Sequence, residues 1–323
     1  MAAATALVHV ANPSAVCAQS ADRVRLYLDS ARARNTIIGY RSSFHQFEEW
    51  CHAHGLCSMP ADAETIAFYV AAQAGRLKAA TLSHHLAAIA KAHKSAGFTS
   101  PIKDSALIAE TLKGIKRTHG TASKQKAPVL TEDLRMMLRM LPDKLLGIRD
   151  RALLLMGFAG AFRRSELVAL DVADLQFTAE GLLITLRRSK NDQEGAGRQV
   201  AIPHGSHAET CTVRAVRAWL EAAAISEGPI FRAVDRHGRI SPKRLSAHAV
   251  ALVVKRYADA AGMCVNSFSG HSLRAGFVTS AARAGEPERR IMRQTGHKSI
   301  EMVLKYVRQA NAFTDNSALA LGL

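Results

Sequence analysis

Residues 294–308 read QTGHKSIEMVLKYVR, and this stretch decides how the C-terminal part of the chain must fold. It holds two reactive side chains, His297 and Tyr306, nine positions apart. One continuous helix would place them on nearly opposite faces, since a helix has about 3.6 residues per turn. They can converge only if the chain bends between them. We predict a bend at Gly296 and a new helix that begins after the candidate N-cap Ser299 and runs through Tyr306.

A second cluster of polar residues lies at 162–167, where FRRSEL follows an apolar run. Glu166 stands three residues after Arg163, so the carboxylate and the guanidinium can meet on one helix face. An arginine held in this way presents a fixed fork of donors that suits a phosphate. The competing interpretation is a solvated helix end.

A third cluster, HSLR at 271–274, places the imidazole of His271 one helical turn from the guanidinium of Arg274. Both side chains could therefore act on one phosphate. A purely structural role is the alternative for this pair, as ordinary packing is for Tyr306.

The remaining sequence predicts a mainly α-helical protein of two domains. Over 21–119 apolar residues recur at three- and four-residue steps. One face holds Tyr40, Phe44, Phe47 and Trp50. A second helix over 81–96 has Leu82, Leu86, Ile89 and Ala90 on one face, with His84, His85, Lys91 and Lys94 largely around the rest. The stretch GTASKQKAP at 120–128 has no apolar period and is typical of an exposed linker.

The second domain, 129–323, is predicted to be mostly helical with a small β-sheet. A helix begins at Thr131, and an apolar helix covers 150–162. Between 181 and 203 the segments LLITLRRSK and RQVAI flank NDQEGAG, a pattern typical of a β-hairpin. Helical patterns resume after Ser246, and the chain ends in the apolar ALALGL.

The composition favours a polyanionic partner. The formal net charge is +16, from 43 basic and 27 acidic residues. Up to and including Lys126 there are 15 basic and 8 acidic residues, and 28 and 19 after it, so both domains are basic. A merely soluble basic protein is the alternative interpretation of this charge.

Five cysteines without a CxxC pair argue against a disulfide framework or a zinc site, and a reducing cytoplasm fits them. Residues 1–20 lack the basic start of a secretory signal and are too short to span a membrane, so we predict a flexible lead-in.

Taken in chain order, Arg163, His271-x-x-Arg274, Gly296-His297 and Tyr306 resemble the motif of the tyrosine recombinase (phage integrase) family. The segments SGHSLRAGFVTSAARAG at 269–285 and IMRQTGHKSIEMVLKYVR at 291–308 look closest to its Cre-like branch. In the first domain, FEEWC and TLSHHLAAIAKAHKSAG resemble that branch's DNA-gripping helices. The likeness extends from about Ala21 to the end. It implies a core-binding domain over 21–119 and a catalytic domain over 129–323.

The resemblance assigns a role to each catalytic residue. Arg163 and Arg274 clamp the phosphate, and His297 is a third donor to the same oxygens. Glu166, by its spacing from Arg163, is expected to support the set. His271 is the proton shuttle and Tyr306 the nucleophile. Lys190, on the predicted hairpin, protonates the departing 5′ oxygen, although its neighbours Arg187 and Arg188 leave the register open.

Two positions depart from the family pattern. Arg164 stands where the family usually has an aliphatic residue, so Arg163 and Arg164 could exchange roles. The register against Ser165-Glu166-Leu167 favours Arg163. At His297 the Cre-like branch carries tryptophan, whereas the wider family commonly has histidine.

The implied activity is site-specific recombination through a covalent 3′-phosphotyrosine, with strands exchanged through a Holliday junction in a homotetramer. No cofactor or metal is expected, because arginines take the place of metal ions. A type IB topoisomerase and a non-catalytic DNA-binding protein are the alternatives.

We expect a cytoplasmic, DNA-associated protein whose partner is double-stranded DNA. The predicted DNA contacts mostly touch phosphates. They are Lys78, Thr81, Ser83 and His84 on a first-domain helix, and Lys243, Arg244 and His248 at the start of a second-domain helix.

Overall fold

The computed structural model describes residues 20–24, 26–27, 34–122, 125–187, 189, 192, 195, 197–310 and 317–321. The chain divides into two compact units, Met1–Lys124 and Gln125–Leu323, so the division falls within the predicted linker 120–128. The C-terminal end of that segment is hydrogen-bonded to the second unit. The backbone N–H of Ala127 donates to the carbonyl of Ser267 at 2.7 Å, and that of Val129 to Ser272 at 2.9 Å. Most of the predicted lead-in, residues 1–19, lies outside the described residues.

In the part of the first unit that the structure describes, residues 20–24 and 26–27 are helical, and four longer helices follow: α1 (Arg34–Ala53), α2 (Ala63–Ala72), α3 (Ala79–Ser95) and α4 (Ala106–His119). The side chain of Asp62 caps α2 by accepting from the Thr65 N–H at 2.7 Å, and Ser105 caps α4. Helix α1 packs on α3, and α2 packs on α4. The predicted helical character of this part is confirmed.

The core of the first unit corrects one prediction about α3. His85, which we placed among the residues around the polar side, is buried. Its Nδ1 lies 2.7 Å from the hydroxyl of Tyr69 on α2. A buried phenol hydroxyl needs a hydrogen-bond partner, and His85 provides it. Burial, followed by the charge of neighbouring His84, lowers the pKa of His85.

The second unit mixes helices with two small sheets. Its helices are α5 (Thr131–Arg139), α6 (Leu145–Ala159), α7 (Arg164–Ala169), α8 (Thr212–Ala222), α9 (Ala247–Ala260), α10 (Ser272–Arg283), α11 (Glu288–Thr295) and α12 (Ile300–Ala310). Short 3₁₀ helices cover Val172–Asp174, Ala208–Thr210, Val265–Ser267 and Ser317–Leu321. The helix predicted over 150–162 begins earlier and ends at Ala159. Within the described part of the chain, no helix combines the length and apolarity needed to cross a membrane.

A three-stranded antiparallel sheet contains the predicted hairpin. Strands β2 (Gly181–Leu186) and β3 (Arg198–Pro203) pair from Gly181↔Pro203 to Leu186↔Arg198, and β1 (Leu175–Phe177) extends the sheet beside β2. Leu182 and Ile184 of β2 are buried in the core, as expected because alternate residues of a strand face the same side. The predicted small β element is confirmed.

A second hairpin, β4 (Arg232–Val234) with β5 (Ile240–Arg244), was not predicted. Lys243 and Arg244 therefore lie on a strand, not at the start of a helix; only His248 lies in the first turn of α9. The turn forms because Asp235 accepts from the backbone of His237 and Arg239.

An ion pair is buried in the core of the second unit. Arg149 donates from Nε (2.8 Å) and Nη2 (2.5 Å) to Oδ1 of Asp150, which is fully buried. The hydroxyl of Tyr257 on α9 donates to the other carboxylate oxygen at 2.8 Å. The pair thus joins α6 to α9. Removing one member of such a pair leaves an uncompensated buried charge.

We expect Asp150→Asn to lower the free energy of unfolding of the second unit by about 3 kcal/mol, because the Arg149 charge stays buried without its counter-ion. Urea denaturation followed by Trp219 fluorescence in a Trp50→Phe background measures this. Asp259→Asn, an exposed carboxylate on α9, is the matched control. An equal, small effect of both substitutions would contradict the assignment.

Candidate active site

The residues singled out in the sequence come from four separate elements of the second unit. Arg163 is the N-cap of α7, His271 precedes α10, and Arg274 lies in its first turn. His297 lies between α11 and α12, and Tyr306 lies on α12. The predicted bend is present, since Gly296 ends α11 in the left-handed conformation at φ 69°.

Arg163 is held by Glu166, as the three-residue spacing predicts. Its Nη1 donates to Oε1 of Glu166 at 2.5 Å, and its backbone N–H donates to Oε2 at 2.9 Å. Glu166 is buried, whereas the side chain of Arg163 keeps 19% of its surface exposed. Arg164 is exposed to solvent. Arg163 is therefore the arginine that Glu166 orients, with part of its guanidinium still accessible.

Arg274 is buried more deeply, with 1% of its surface exposed. Its Nη1 donates to the carbonyl of Ala161 at 2.7 Å, and its Nη2 lies 3.1 Å from Nε2 of His297. Burial, and then the charge of Arg163, lowers the pKa of Arg274 to about 10. The guanidinium is still protonated at neutral pH, and its orientation is fixed by contacts within the protein.

His297 is buried between Arg274 and Thr295. Its Nδ1 lies 2.8 Å from Oγ1 of Thr295. Burial and then the positive charge of Arg274 lower the pKa of His297 to about 4. The imidazole is therefore neutral at physiological pH.

His271 and Tyr306 meet at the surface. Nε2 of His271 lies 3.3 Å from the Tyr306 hydroxyl, although the two residues are 35 positions apart. Burial, followed by the charges of Arg274, Arg163 and Arg164, lowers the pKa of His271. Burial raises the pKa of Tyr306, and the charge of Arg274 opposes that rise. At neutral pH the pair is a neutral imidazole beside a protonated phenol.

Arg198 belongs to this cluster but was missed in the sequence. From the start of β3 it donates to the carbonyls of Gln294 at 3.0 Å and Thr295 at 3.4 Å. A Cβ on Gly296 would lie 2.9 Å from its Nε, so this guanidinium needs glycine there. Burial lowers the pKa of Arg198; the charge of Glu166 opposes that shift, and the charge of Arg163 adds to it. Its partners are backbone groups, so no side-chain spacing signals it.

The predicted Lys190 and its neighbour Arg188 lie outside the described residues. Arg187 is described by the structure, and its Nε forms an ion pair with the buried carboxylate of Asp174 at 2.7 Å. Further along the chain, the carboxylate of Asp192 accepts from the Gly197 N–H at 2.8 Å. Arg187 is thus engaged away from the cluster.

Among the residues that the structure describes, no group of three or more His, Cys, Asp or Glu side chains is arranged to hold a metal ion.

The predicted DNA-contact residues differ in their solvent exposure and in whether their side chains already have partners within the protein. Lys78, Thr81 and His84 are exposed on or next to α3, although His84 Nδ1 lies 3.1 Å from the Ser43 hydroxyl of α1. Arg244 is not free, because it donates to the Val168 and Leu170 carbonyls and pairs with Asp171 at 2.6 Å. The remaining members, Ser83, Lys243 and His248, are at least partly exposed.

Comparison with known proteins places this chain in a family. Residues 129–312 match the phage integrase family. An integrase/recombinase xerD homolog of Selenomonas ruminantium is 44% identical over 294 residues, covering 90% of this chain and 86% of the relative. The recombinase cre of Escherichia phage P1 is 24% identical and covers 82% and 81%.

Two solved structures share the fold. XerH recombinase in a post-cleavage complex with palindromic difH substrate has a TM-score of 0.60 and 18% identity, covering 80% of this chain and 71% of that one. The Tn1549 transposon integrase bound to transposon right-end DNA has a TM-score of 0.62 and 16% identity, covering 90% and 94%.

The predicted family is thereby confirmed, and neither alternative activity is favoured by these relatives. With the motif residues brought together and the match extending over most of the chain, this protein belongs to the phage integrase family of tyrosine recombinases.

Proposed function

We propose that Tyr306 cuts and rejoins DNA strands through a covalent 3′-phosphotyrosine, so that two DNA sites exchange strands through a Holliday junction. The observation that carries this proposal is the 3.3 Å separation between the Tyr306 hydroxyl and His271, beside the buried guanidinium of Arg274. A phenol next to a proton acceptor and fixed cations is the set of groups that nucleophilic attack on a phosphodiester requires.

Proton transfer is the first requirement. The unperturbed pKa of tyrosine is near 10, and burial raises that of Tyr306, so its hydroxyl is a weak nucleophile until a base assists. His271 is neutral at neutral pH because its pKa is lowered. It can therefore accept the phenol proton through Nε2 as the oxygen attacks phosphorus.

Charge stabilisation is the second requirement. Attack on the phosphodiester concentrates negative charge on the non-bridging oxygens, and donors that are already oriented stabilise this state most. Arg163 is oriented by Glu166, and Arg274 by the Ala161 carbonyl. Both guanidinium groups are already oriented, so they lose little conformational entropy when they bind the phosphate.

The leaving group and the reverse reaction complete the cycle. The bond from phosphorus to the 5′ oxygen breaks, and Lys190 supplies the proton to that oxygen by the family resemblance. The phosphotyrosine retains the energy of the broken bond, so the 5′ hydroxyl of a second strand can attack it and release Tyr306. In this scheme the protein's own residues carry every proton, and neither a cofactor nor a metal ion is required.

DNA is held by basic surfaces on both units. In the first unit a groove is lined by Arg76, Lys78, Ser83, Lys116 and His119, which supports phosphate contacts near Lys78 and Ser83. Thr81 and His84 are exposed on the same helix, and Lys243 and His248 supply the second unit's contacts. We assign Arg244 a structural role instead, because its guanidinium is engaged with Asp171.

The proposed assembly is a homotetramer in which each C-terminal tail docks on a neighbouring subunit. Leu321 in the tail is 68% exposed, which supports docking elsewhere more than packing on its own unit. A groove of about 550 Å³ in the second unit, with Leu134, Phe158 and Phe277 among its lining residues, offers an apolar surface of matching character.

Tyr306→Phe tests the nucleophile. With a nicked suicide substrate, we expect a covalent protein–DNA adduct that survives denaturation for the native chain and is absent for the variant, because phenylalanine has no oxygen to attack phosphorus. Tyr27→Phe, at an exposed position, is the control and should retain the adduct. An adduct in Tyr306→Phe would refute the assignment.

The pH dependence of cleavage tests His271. Because its pKa is lowered from 6.5, His271 stays unprotonated above that value and gains a proton only in more acidic solution. We therefore expect the second-order rate of adduct formation, measured at subsaturating DNA so that it reports the free protein, to be level from about pH 7 to 8.5 and to fall with a midpoint below 6.5. His271→Gln should be slower and lose the acidic fall. A midpoint above 7 would contradict the proposed acceptor.

Deletion of residues 317–323 tests the assembly. We expect the truncated chain to form the adduct on a single site but to lose joint complexes of paired sites in gel electrophoresis, because the apolar tail no longer reaches a neighbour. Ala281→Glu, in the groove, should cause the same loss, and combining the two changes should add little. Normal paired complexes with the truncated chain would exclude tail docking.

A further inference from the structure

A guanidinium from the sheet binds the last carbonyls of α11. The last four carbonyls of a helix have no partner within the helix. Arg198, the first residue of β3, donates from Nη1 to the carbonyl of Gln294 at 3.0 Å and from Nη2 to that of Thr295 at 3.4 Å. The helix dipole also favours a positive charge at this end. A side chain almost a hundred positions away in the sequence therefore stabilises the end of α11.

The same guanidinium lies against Gly296, which separates α11 from His297. Gly296 has φ 69°, a conformation that favours glycine. A Cβ at this position would lie 2.9 Å from Nε and 3.1 Å from Cζ of Arg198. Because the guanidinium is bound to two carbonyls, it cannot move aside without weakening those bonds. The turn and the arginine therefore fit together only with glycine at 296.

The turn that Arg198 binds leads directly into His297, whose Nε2 lies 3.1 Å from Nη2 of Arg274. We infer that Arg198 is a positioning residue, which acts through its two hydrogen bonds to hold His297 where it can act on the DNA phosphate. A misplacement of about 1 Å at a reacting centre can cost on the order of 100-fold in rate. This inference rests on the proposed function, with His297 as a donor to the phosphate beside Arg163 and Arg274.

The geometry of the guanidinium matters more here than its charge. Burial is the largest cause of the lowered pKa of Arg274 and of His297, and the charge of Arg198 is a smaller one. A charge acts over a distance, whereas two bonds to neighbouring carbonyls require a planar fork of donors. Lysine keeps the charge but lacks the fork. Arg198→Lys therefore separates the two contributions.

Arg198→Lys tests the positioning role in a single-turnover assay on the nicked suicide substrate. We expect the rate constant of adduct formation at saturating DNA to fall at least about tenfold, because His297 is no longer held in place. The DNA concentration for half-maximal rate should not change, since Arg198 does not contact DNA in this scheme. A variant that only folds poorly would lower the amount of adduct and not the rate constant. Arg289→Ala, at an exposed position of α11, is the control and should keep the native rate. A native rate in Arg198→Lys would assign the effect to charge and overturn the inference.

A substrate with sulfur in place of the bridging 5′ oxygen identifies the step that Arg198 supports. A thiolate is a better leaving group than an alkoxide, so sulfur removes the need for an acid at that position. We expect Arg198→Lys to be slowed by the same factor on both substrates, because His297 acts on the non-bridging oxygens. A defect that disappears with sulfur would place Arg198 on the leaving-group side and contradict the inference. Absence of an adduct with the native chain would instead refute the proposed function.

Gly296→Ala tests the fit between the turn and the guanidinium. In the native background we expect a large loss of rate, because the new methyl group displaces Arg198. In an Arg198→Ala background the same change should cost much less, since only the unfavourable φ remains. Equal factors in the two backgrounds would show that the residues act independently, which the proposed role excludes.

Discussion

The arrangement of the site depends on one buried carboxylate among three guanidinium groups. Glu166 bonds directly to Arg163, and its charge also acts on Arg198 and Arg274. One negative charge cannot neutralise three positive ones, so the site carries an excess of positive charge in surroundings where repulsion is weakly screened. A phosphodiester supplies a compensating charge, and the transition state supplies more. The excess therefore favours the transition state over the empty site.

The fold maintains this excess by fixing each cation through contacts away from the phosphate. Arg274 is bound by a carbonyl that precedes α7, and Arg198 by the last carbonyls of α11. Gln294 adds a link from the same turn, because its amide donates to the carbonyls of Ala159 and Ala201. The end of α11 is thus joined both to α6 and to β3. Strand β3, which follows Lys190 in the sequence, is consequently tied to the turn that carries His297.

The sequence allowed us to predict those features that depend on local patterns. The bend at Gly296 followed from rotation along a helix, and the β2–β3 hairpin followed from β-rich segments on either side of turn-forming residues. His85 and Arg198 depend instead on groups that are distant in the chain. His85 is buried because a phenol from α2 needs a partner, and Arg198 binds carbonyls 96 and 97 positions away. Lys243 and Arg244 were misplaced because β4 and β5 are too short for periodicity to identify them.

In the proposed mechanism, the same cations link the pair of His271 and Tyr306 to the phosphate. Burial, and then the charges of these cations, lowers the pKa of His271. The imidazole is therefore unprotonated, but it is also a weaker base. A phosphate beside Arg163 and Arg274 offsets part of that positive field, so the basicity of His271 increases when DNA is in place. The negative phosphate also favours an imidazolium as the product of proton transfer. Under the proposed function, activation of Tyr306 is therefore coupled by electrostatics to the presence of its target, without requiring any movement of the two side chains.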